Sequence, residues 1–251
     1  MKIIASFLIV CMLNFFVPTT APLDTLDNTK QGWGQGRQVD NDNRPLSCTK
    51  FQDRYGKYDA IFIKENTKKI YLSFDEGYEN GYTSKILDVL KAKKVSAVFF
   101  VTYDYVKRNP ELVRRMIEEG HVVGNHTYTH PSMPTLSLVK ASSEITALHD
   151  YVKEMFNYTM TLFRPPMGEF SERTLALTQS LGYKSVFWSF AYVDWDPSRQ
   201  MGADKAYIKV VSCLHNGAVY LLHAVSKDNA EILGSFIDKA ASEGYEFAKL
   251  S

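Results

Sequence analysis

The regular alternation of strand and helix along most of this chain predicts an α/β fold with a parallel sheet, a small or incomplete barrel in a single domain. Two observations carry that prediction. From about residue 58, short β-prone runs alternate with amphipathic stretches, and six or seven such units follow one another. A doubly wound open sheet is the alternative fold, but no glycine-rich nucleotide-binding loop follows any predicted strand.

The predicted strands are short, apolar and bounded by polar or glycine-containing stretches. They cover residues 69–74, 98–101, 122–124, 161–163, 185–188, 218–222 and 245–248. Helical connections between them make the strands parallel, so their carboxyl ends should lie together at one rim.

The predicted helices carry recognisable start and stop signals. Thr83 begins one whose apolar residues recur at helical spacing. Asn109 and Pro110 provide an N-cap and a first-turn proline, and Gly120 ends that helix. Further helices are expected over 137–156, from Ser171 to near Gly182, from Asp204, and after Asp228 as a cap.

The amino-terminal part of the chain differs from the rest. Lys2, the apolar run 3–17 and the small residues before Ala21 have the layout of a secretory signal peptide, residues 1–21. The run is short for a membrane span, and an uncleaved anchor is the alternative. Residues 22–65 are polar and predict an extended arm, and 66–251 form the expected catalytic domain.

Charge and cysteine content narrow the function classes. The 29 basic and 28 acidic residues are scattered, so no basic face for nucleic acid is visible. Beyond the signal peptide, Cys48 and Cys213 have no partner at zinc-ligand spacing, and their pairing is left open. We expect an exported monomer of the cell envelope or extracellular space, with a neutral or small partner and no membrane contact beyond a retained anchor.

Polar residues gather directly after five of the predicted strands. The clusters are 75–77, 126–131, 164–168, 194–195 and His223. Barrel enzymes build their active sites from several strand ends at this rim. Five such clusters are hard to explain by packing and predict an active site.

His126 and His130 are four residues apart and can present two imidazoles to one cation. Thr127 stands where the metalloprotease helix motif has its glutamate, so this is not that motif. Asp75 and Glu76 leave a strand in different directions, which suggests one metal ligand and one base. The alternative is that both carboxylates cap a turn.

His223 ends an apolar strand, where a buried core histidine would be ordinary, but its rim position favours a general acid. Arg164 could orient a carboxylate through a bidentate contact, and Asp194 could hold an imidazole in one tautomer. Trp195 could form a wall for a sugar ring. A structural role is the alternative for each of these three residues.

These motifs, in this order, resemble the polysaccharide deacetylases of carbohydrate esterase family four, the group with the nodulation-type chitooligosaccharide deacetylase domain. The matching segments are 73–77, 126–131, 164–168, 194–195 and 221–223, within residues 66–250. Segments 74–83, 187–195 and 222–231, with Trp33-Gly34 and 58–60 in the arm, are similar to the muramic-acid de-N-acetylase branch. That branch deacetylates peptide-free muramic acid, whose amine closes to the δ-lactam of spore cortex.

The resemblance implies a distorted (β/α)7 barrel, a single catalytic domain with an N-terminal extended arm, and a role for each motif residue. Asp75 would be the catalytic base, oriented by Arg164, and Asp194 would pair with His223 as the general acid. The implied metal ligands are His126, His130 and Glu76, and the implied substrate contacts are Trp195, Pro166, Met167, Leu222 and Tyr78. The expected cofactor is a divalent metal ion, zinc first, with manganese, cobalt or magnesium as alternatives. The expected substrate is N-acetylated glycan of peptidoglycan.

Two positions depart from the family pattern. Glu76 stands where the family usually has a metal-binding aspartate and the muramic branch an asparagine. It could still reach the cation with its extra methylene, or the metal could be held chiefly by the two histidines and solvent. Ala191 replaces a common aspartate three residues before Asp194. Three alternatives therefore remain: a catalytically degenerate wall-binding relative, an O-acetyl esterase, and a chitooligosaccharide deacetylase.

Overall fold

The computed structural model describes residues 22–250, so the predicted signal peptide lies outside the described residues. Ten strands are present in this range. They are β1 (Gln31–Gly32), β2 (Ala60–Ile61), β3 (Lys69–Glu76), β4 (Ala97–Val101), β5 (Val122–Asn125), β6 (Leu162–Phe163), β7 (Glu169–Phe170), β8 (Lys184–Val186), β9 (Ala218–His223) and β10 (Glu246–Phe247).

Eight α-helices connect or flank these strands within the described part of the chain. They are α1 (Leu46–Tyr55), α2 (Thr83–Lys93), α3 (Tyr103–Arg108), α4 (Pro110–Glu118), α5 (Leu138–Phe156), α6 (Glu172–Ser180), α7 (Ala203–Ser212) and α8 (Lys227–Ser242). None of the helices within residues 22–250 is long and apolar enough to span a bilayer.

The main sheet is a curled, parallel half-barrel that confirms the predicted distorted (β/α)7 fold. Its strand order is β9-β3-β4-β5-β6-β8-β2, and β10 pairs with the first residues of β3. Beyond β8 the chain crosses towards β9, where Phe190 forms a parallel bridge with Tyr220. This bridge draws the two sides of the sheet together.

Side-chain alternation along the strands separates two apolar layers. One layer consists of strand residues on the concave side of the sheet, Tyr71, Val98, Phe100, Val122, Leu162, Val186 and Val219. Their strand neighbours point the other way and pack with the helices, among them Leu72, Phe74, Phe99, Val123, Phe163, Tyr220 and Leu222. The face on which a polar residue lies therefore depends on the parity of its position.

Residues 22–65, expected as an extended arm, contain helix α1 and strand β2. β2 pairs in parallel with β8, and β1 pairs antiparallel with β7. An aromatic cluster joins this segment to the sheet, and it contains Trp33, Tyr55, Phe62, Phe170 and Phe187.

Two local predictions differ from the structure. The predicted strand 185–188 is shorter, because β8 ends at Val186. The cap of α8 is Ser226, whose hydroxyl accepts a hydrogen bond from the amide of Asn229. Asp228, the predicted cap, instead accepts a hydrogen bond from the amide of Gly202. Cys48 and Cys213 are both free thiols.

Candidate active site

Asp75 lies on the concave side of β3 beside a fully buried guanidinium. Arg164 donates from Nη1 to Asp75 Oδ1 at 2.7 Å and from Nη2 to Ser73 Oγ at 2.8 Å. Its Nε donates to the carbonyl of Val186, and its guanidinium carbon lies 4.2 Å from the ring centre of Phe100. These contacts hold Arg164 rigidly, so it can orient Asp75.

Charge and burial act in opposite directions on Asp75. Burial is the largest single effect and would raise the pKa of Asp75. The positive charges of Arg164, His126 and His223, with the hydrogen bond from Arg164, together outweigh it and lower that pKa below its usual value. Asp75 is therefore ionised at neutral pH and able to accept a proton.

His126 and His130 meet in the same place, just beyond β5. Nδ1 of His126 donates to the carbonyl of Arg164 at 2.8 Å, which leaves its Nε2 free to act as a ligand. Nε2 of His130 lies 3.2 Å from Nε2 of His126. Burial lowers the pKa of His126 to about 4 and also lowers that of His130, which favours neutral, metal-binding imidazoles.

The backbone between the two histidines is bent to make this approach possible. Thr127 and His130 both have positive φ, at 69° and 60°. The side chain of Asn125 accepts from the amide of Thr127, and the Thr127 hydroxyl accepts from the amide of His130. Residues other than glycine adopt this conformation at a cost, which is typical of functional sites.

The histidine pair fits a divalent cation. Two nitrogens bound to tetrahedral zinc at ~2.0–2.1 Å lie about 3.3 Å apart, close to the separation in this structure. The nearest carboxylate oxygen, Asp75 Oδ2, lies 3.5 Å from His126 Nε2. No group of three histidine, cysteine or acidic side chains within residues 22–250 is arranged to hold a metal. The pair would therefore supply two protein ligands to such a cation.

The structure does not bring Glu76 to the histidine pair. Because Asp75 faces the concave side, its neighbour Glu76 points to the helix side of β3. There it is fully buried, and neither carboxylate oxygen has a hydrogen-bond partner. Burial, with the nearby charges of Glu79 and Asp75, raises the pKa of Glu76 well above its usual value.

His223 is paired with a buried carboxylate. Its Nδ1 donates to Asp194 Oδ1 at 2.8 Å, and its backbone amide donates to Asp194 Oδ2 at 2.9 Å. Burial is the largest single effect and opposes the protonated imidazole. The charge and hydrogen bond of Asp194, with the charge of Asp75, together outweigh it and raise the pKa of His223 above its ordinary value. His223 is suited to donate a proton.

Asp75, the histidine pair and His223 line one cleft of about 550 Å³, and Arg164 and Asp194 contact it from behind through Asp75 and His223. Its rim carries three exposed side chains that the sequence suggests as substrate contacts, Tyr78, Met167 and Trp195. Two other suggested contacts do not line the cleft, since Pro166 is buried beneath its wall and Leu222 faces the helices. Leu221 lines the cleft instead, because it shares the concave side with His223.

Several residues that shape the site have no role predicted from the sequence. Trp188 and Tyr192 line the cleft, and Asn229 contacts Asp194. All three lie in segments similar to the muramic branch, so a signal was present. Ser73, which accepts from Arg164, begins the family-matching segment 73–77, so it too carried a signal.

The amino-terminal segment supports one wall of the cleft. Trp33 donates from its indole to the carbonyl of Trp188 at 2.9 Å. The Trp188 indole in turn donates to Gln35 Oε1, and Gln35 Nε2 donates to the carbonyl of Ala191. Residues outside the predicted catalytic domain therefore position residues of the cleft.

Comparison with known proteins agrees with this geometry. The family model described as polysaccharide deacetylase matches residues 63–186. The chain is 46% identical over 245 residues to an uncharacterized 30.6 kDa protein of Geobacillus stearothermophilus, covering 96% of this chain and 91% of that protein. It is 40% identical over 244 residues to the peptidoglycan-N-acetylmuramic acid deacetylase PdaA of Bacillus subtilis, covering 96% and 92% respectively.

Solved structures show the same relationship. The structure of Bacillus subtilis PdaA, a family 4 carbohydrate esterase, superposes with a TM-score of 0.85 at 42% identity, covering 89% of this chain and 96% of that one. A family 4 carbohydrate esterase from Bacillus anthracis gives a TM-score of 0.74 at 40% identity, covering 89% and 95%. The chain therefore belongs to the polysaccharide deacetylases of carbohydrate esterase family 4, hydrolases that cleave amide bonds.

Proposed function

We propose that this protein removes the N-acetyl group from muramic acid residues of peptidoglycan in a metal-dependent hydrolysis. The observation that carries the proposal is the convergence of three pairs of side chains at one cleft, each with at least one member lining it. They are Asp75 with Arg164, His126 with His130, and Asp194 with His223.

The protein groups divide the reaction between them. When bound by His126 and His130, a divalent cation such as zinc supplies Lewis acidity at the reacting acetamide. Asp75, kept ionised and oriented by Arg164, accepts the proton of the attacking water. The backbone amide at Met167 is assigned to the carbonyl oxygen as it gains negative charge.

His223 completes the reaction by protonating the departing sugar nitrogen from Nε2. An amine leaves only as its protonated form, so this proton is required for the C–N bond to break. Asp194 holds the opposite ring nitrogen and stabilises the protonated imidazole before transfer. The products are acetate and a glycan carrying a free amine.

The substrate class follows from the cleft rim and from the relatives. Exposed aromatic rings at Tyr78 and Trp195 offer apolar faces for pyranose rings. Similarity to the muramic acid deacetylase PdaA extends over nearly the whole of both chains and favours muramic acid. A free amine beside the lactyl carboxylate of peptide-free muramic acid can close to the δ-lactam of spore cortex. The protein would then act in the cell envelope after export.

Mass spectrometry of digested peptidoglycan tests the proposal. Zinc-loaded protein is incubated with peptidoglycan that has or has not been stripped of peptides by an amidase. We expect loss of acetyl groups from muramic acid only in the stripped material, and no loss with Asp75→Asn. Release of acetate from no N-acetylated glycan would refute the proposal.

A second candidate is a wall-binding relative without turnover, favoured by the position of Glu76. Its carboxylate lies away from the two histidines and leaves the cation with fewer protein ligands. In that case wild type and Asp75→Asn bind stripped peptidoglycan equally and neither releases acetate. Acetylated xylan as a parallel substrate separates an O-acetyl esterase from both.

A further inference from the structure

Asn229 lies in the first turn of α8, and every donor and acceptor of its buried side-chain amide has a hydrogen-bond partner. Its Nδ2 donates to Asp194 Oδ2 at 2.6 Å and to the carbonyl of His223 at 3.0 Å. Its Oδ1 accepts from the hydroxyl of Tyr192 at 2.5 Å. Both amide protons and the amide oxygen are therefore used, and the amide cannot flip without losing these bonds.

The contact from Asn229 determines which oxygen of Asp194 meets the imidazole. Asp194 Oδ2 receives Asn229 and the backbone amide of His223, whereas Oδ1 receives Nδ1 of His223. With Oδ2 held by two donors, rotation of the carboxylate away from Nδ1 would break three hydrogen bonds.

We propose that Asn229 is a positioning residue for the general acid, which by donating to Asp194 keeps the carboxylate on Nδ1 of His223 and the transferable proton on Nε2. This inference rests on the proposed function, in which His223 protonates the leaving amine. Tyr192, a residue of the cleft wall, holds the oxygen of Asn229, so the hydrogen-bonded chain begins at the cleft and returns to it.

The side chains around His223 show why a neutral donor suits this place. The charged groups acting on it include Asp194, Asp75 and Arg164, with His130 across the cleft. From α8, the carboxylate of Asp228 is turned to the amide of Gly202. Asn229 is thus a neutral contact to Asp194 from that helix, and it adds no second negative charge.

The substitution Asn229→Asp tests this inference with almost no change of shape. It replaces the donor by a second carboxylate against Asp194, and two buried carboxylates in contact share one proton. The pair keeps one negative charge in total, but that charge is spread over both residues and less of it lies beside Nδ1, so the pKa of His223 should fall. We expect the alkaline limb of the pH–kcat profile to move to lower pH, kcat to fall about tenfold, and KM to change less than about threefold.

Two further variants make the result specific. Asn216→Asp is the matched control, because Asn216 bonds Asn66 at the surface, and its profile should equal that of wild type. Tyr192→Phe releases the oxygen of Asn229 and should shift the alkaline limb in the same direction by a smaller amount. Thermal unfolding shows which variants are folded.

NMR titration of His223 in the zinc-loaded chain gives a readout that needs no substrate. His223→Gln assigns its signal among the six histidines. An unchanged His223 pKa and pH profile in folded Asn229→Asp overturns the inference; if that variant does not fold, the same result in Tyr192→Phe overturns it. A wild-type chain that releases no acetate refutes the proposed function, while the titration still decides the role of Asn229.

Discussion

Arg164 donates to Oδ1 of Asp75 at 2.7 Å, and no part of the Arg164 side chain reaches solvent. The same guanidinium also bonds Ser73 and the carbonyl of Val186, so strands β3 and β8 meet at one cation. Arg164 therefore both orients the proposed base, Asp75, and stabilises the barrel.

Replacing Arg164 by lysine should separate charge from geometry. An ammonium keeps the positive charge but cannot reach Asp75, Ser73 and Val186 at once. We expect kcat to fall at least about tenfold, and the free energy of unfolding to fall by about 2–3 kcal/mol from lost buried hydrogen bonds. Acetate release and chemical denaturation measure the two effects. A variant with wild-type kcat would show that Arg164 does not orient the base.

Replacing Glu76 by methionine should leave the metal site intact. Two buried oxygens without partners are removed, so we expect the free energy of unfolding to rise by about 1–3 kcal/mol. Zinc affinity, measured by calorimetry, should not change, whereas His126→Ala should weaken it strongly and His149→Ala, on α5, should not. A tenfold loss of zinc affinity in Glu76→Met would show that Glu76 reaches the cation.

Replacing Asp194 by asparagine should narrow the pH range of activity. Asp194 raises the pKa of His223, and the acid must be protonated to act, so its loss moves the alkaline limb to lower pH. The same pKa shift makes the free energy of unfolding depend on pH. Because the pKa of His223 is higher in the folded chain, the Asp194–His223 pair stabilises the fold fully below the unfolded histidine pKa of about 6.5. This stabilisation is lost as the pH rises through the pKa of His223 in the folded chain. Melting temperatures of both proteins across that range should converge at high pH; a constant difference would contradict the linkage.

Leu221 and Leu222 form a matched pair on opposite faces of β9. Leu222→Ala leaves a closed cavity in the helix-side core, and we expect a loss of about 2–5 kcal/mol with little change in kcat/KM. Leu221→Ala opens into the cleft, where solvent fills the space, so KM should rise with a smaller loss of stability. Equal effects of both substitutions on KM would contradict the assignment of faces.

Gly168 should tolerate no side chain beside Trp188. Its φ is +66°, and an added Cβ would lie 2.7 Å from the Trp188 ring. Gly244 also has positive φ, at +83°, but open space around it. Both alanine variants should lose about 1 kcal/mol from backbone strain, and only Gly168→Ala should lose more and change KM. Chemical denaturation measures the loss of stability, and acetate release measures KM. Equal losses of stability in the two variants, with KM unchanged, would show that the Trp188 ring moves to make room for the added Cβ.

The barrel and most of the candidate site were predictable because their signals are local. Strand–helix alternation predicted the fold, and the motifs at strand ends predicted that Asp75, the two histidines and His223 would meet. Alternation along a strand also implies that Glu76 faces away from Asp75 and that Leu222 faces away from His223. The family resemblance instead suggests a metal ligand at Glu76 and a substrate contact at Leu222, and the structure places neither side chain in the cleft.

Other features depend on contacts between distant parts of the chain. β2 has only two residues, and its pairing partner in β8 lies far along the sequence, so no local pattern indicated a strand. The contact of Gln35 with Trp188 likewise joins two segments that are neither adjacent nor patterned alike. Such pairings are determined by the completed barrel.

Asp75 and His223 are register partners on the adjoining strands β3 and β9. The proposed base comes from the first third of the chain and the proposed acid from its last part, so the two lie side by side only after a late, non-local pairing. A chain in which β9 has not yet paired with β3 has Asp75 in place but not His223. Recovery of catalysis during refolding should therefore report barrel closure, lagging behind the return of helical circular dichroism.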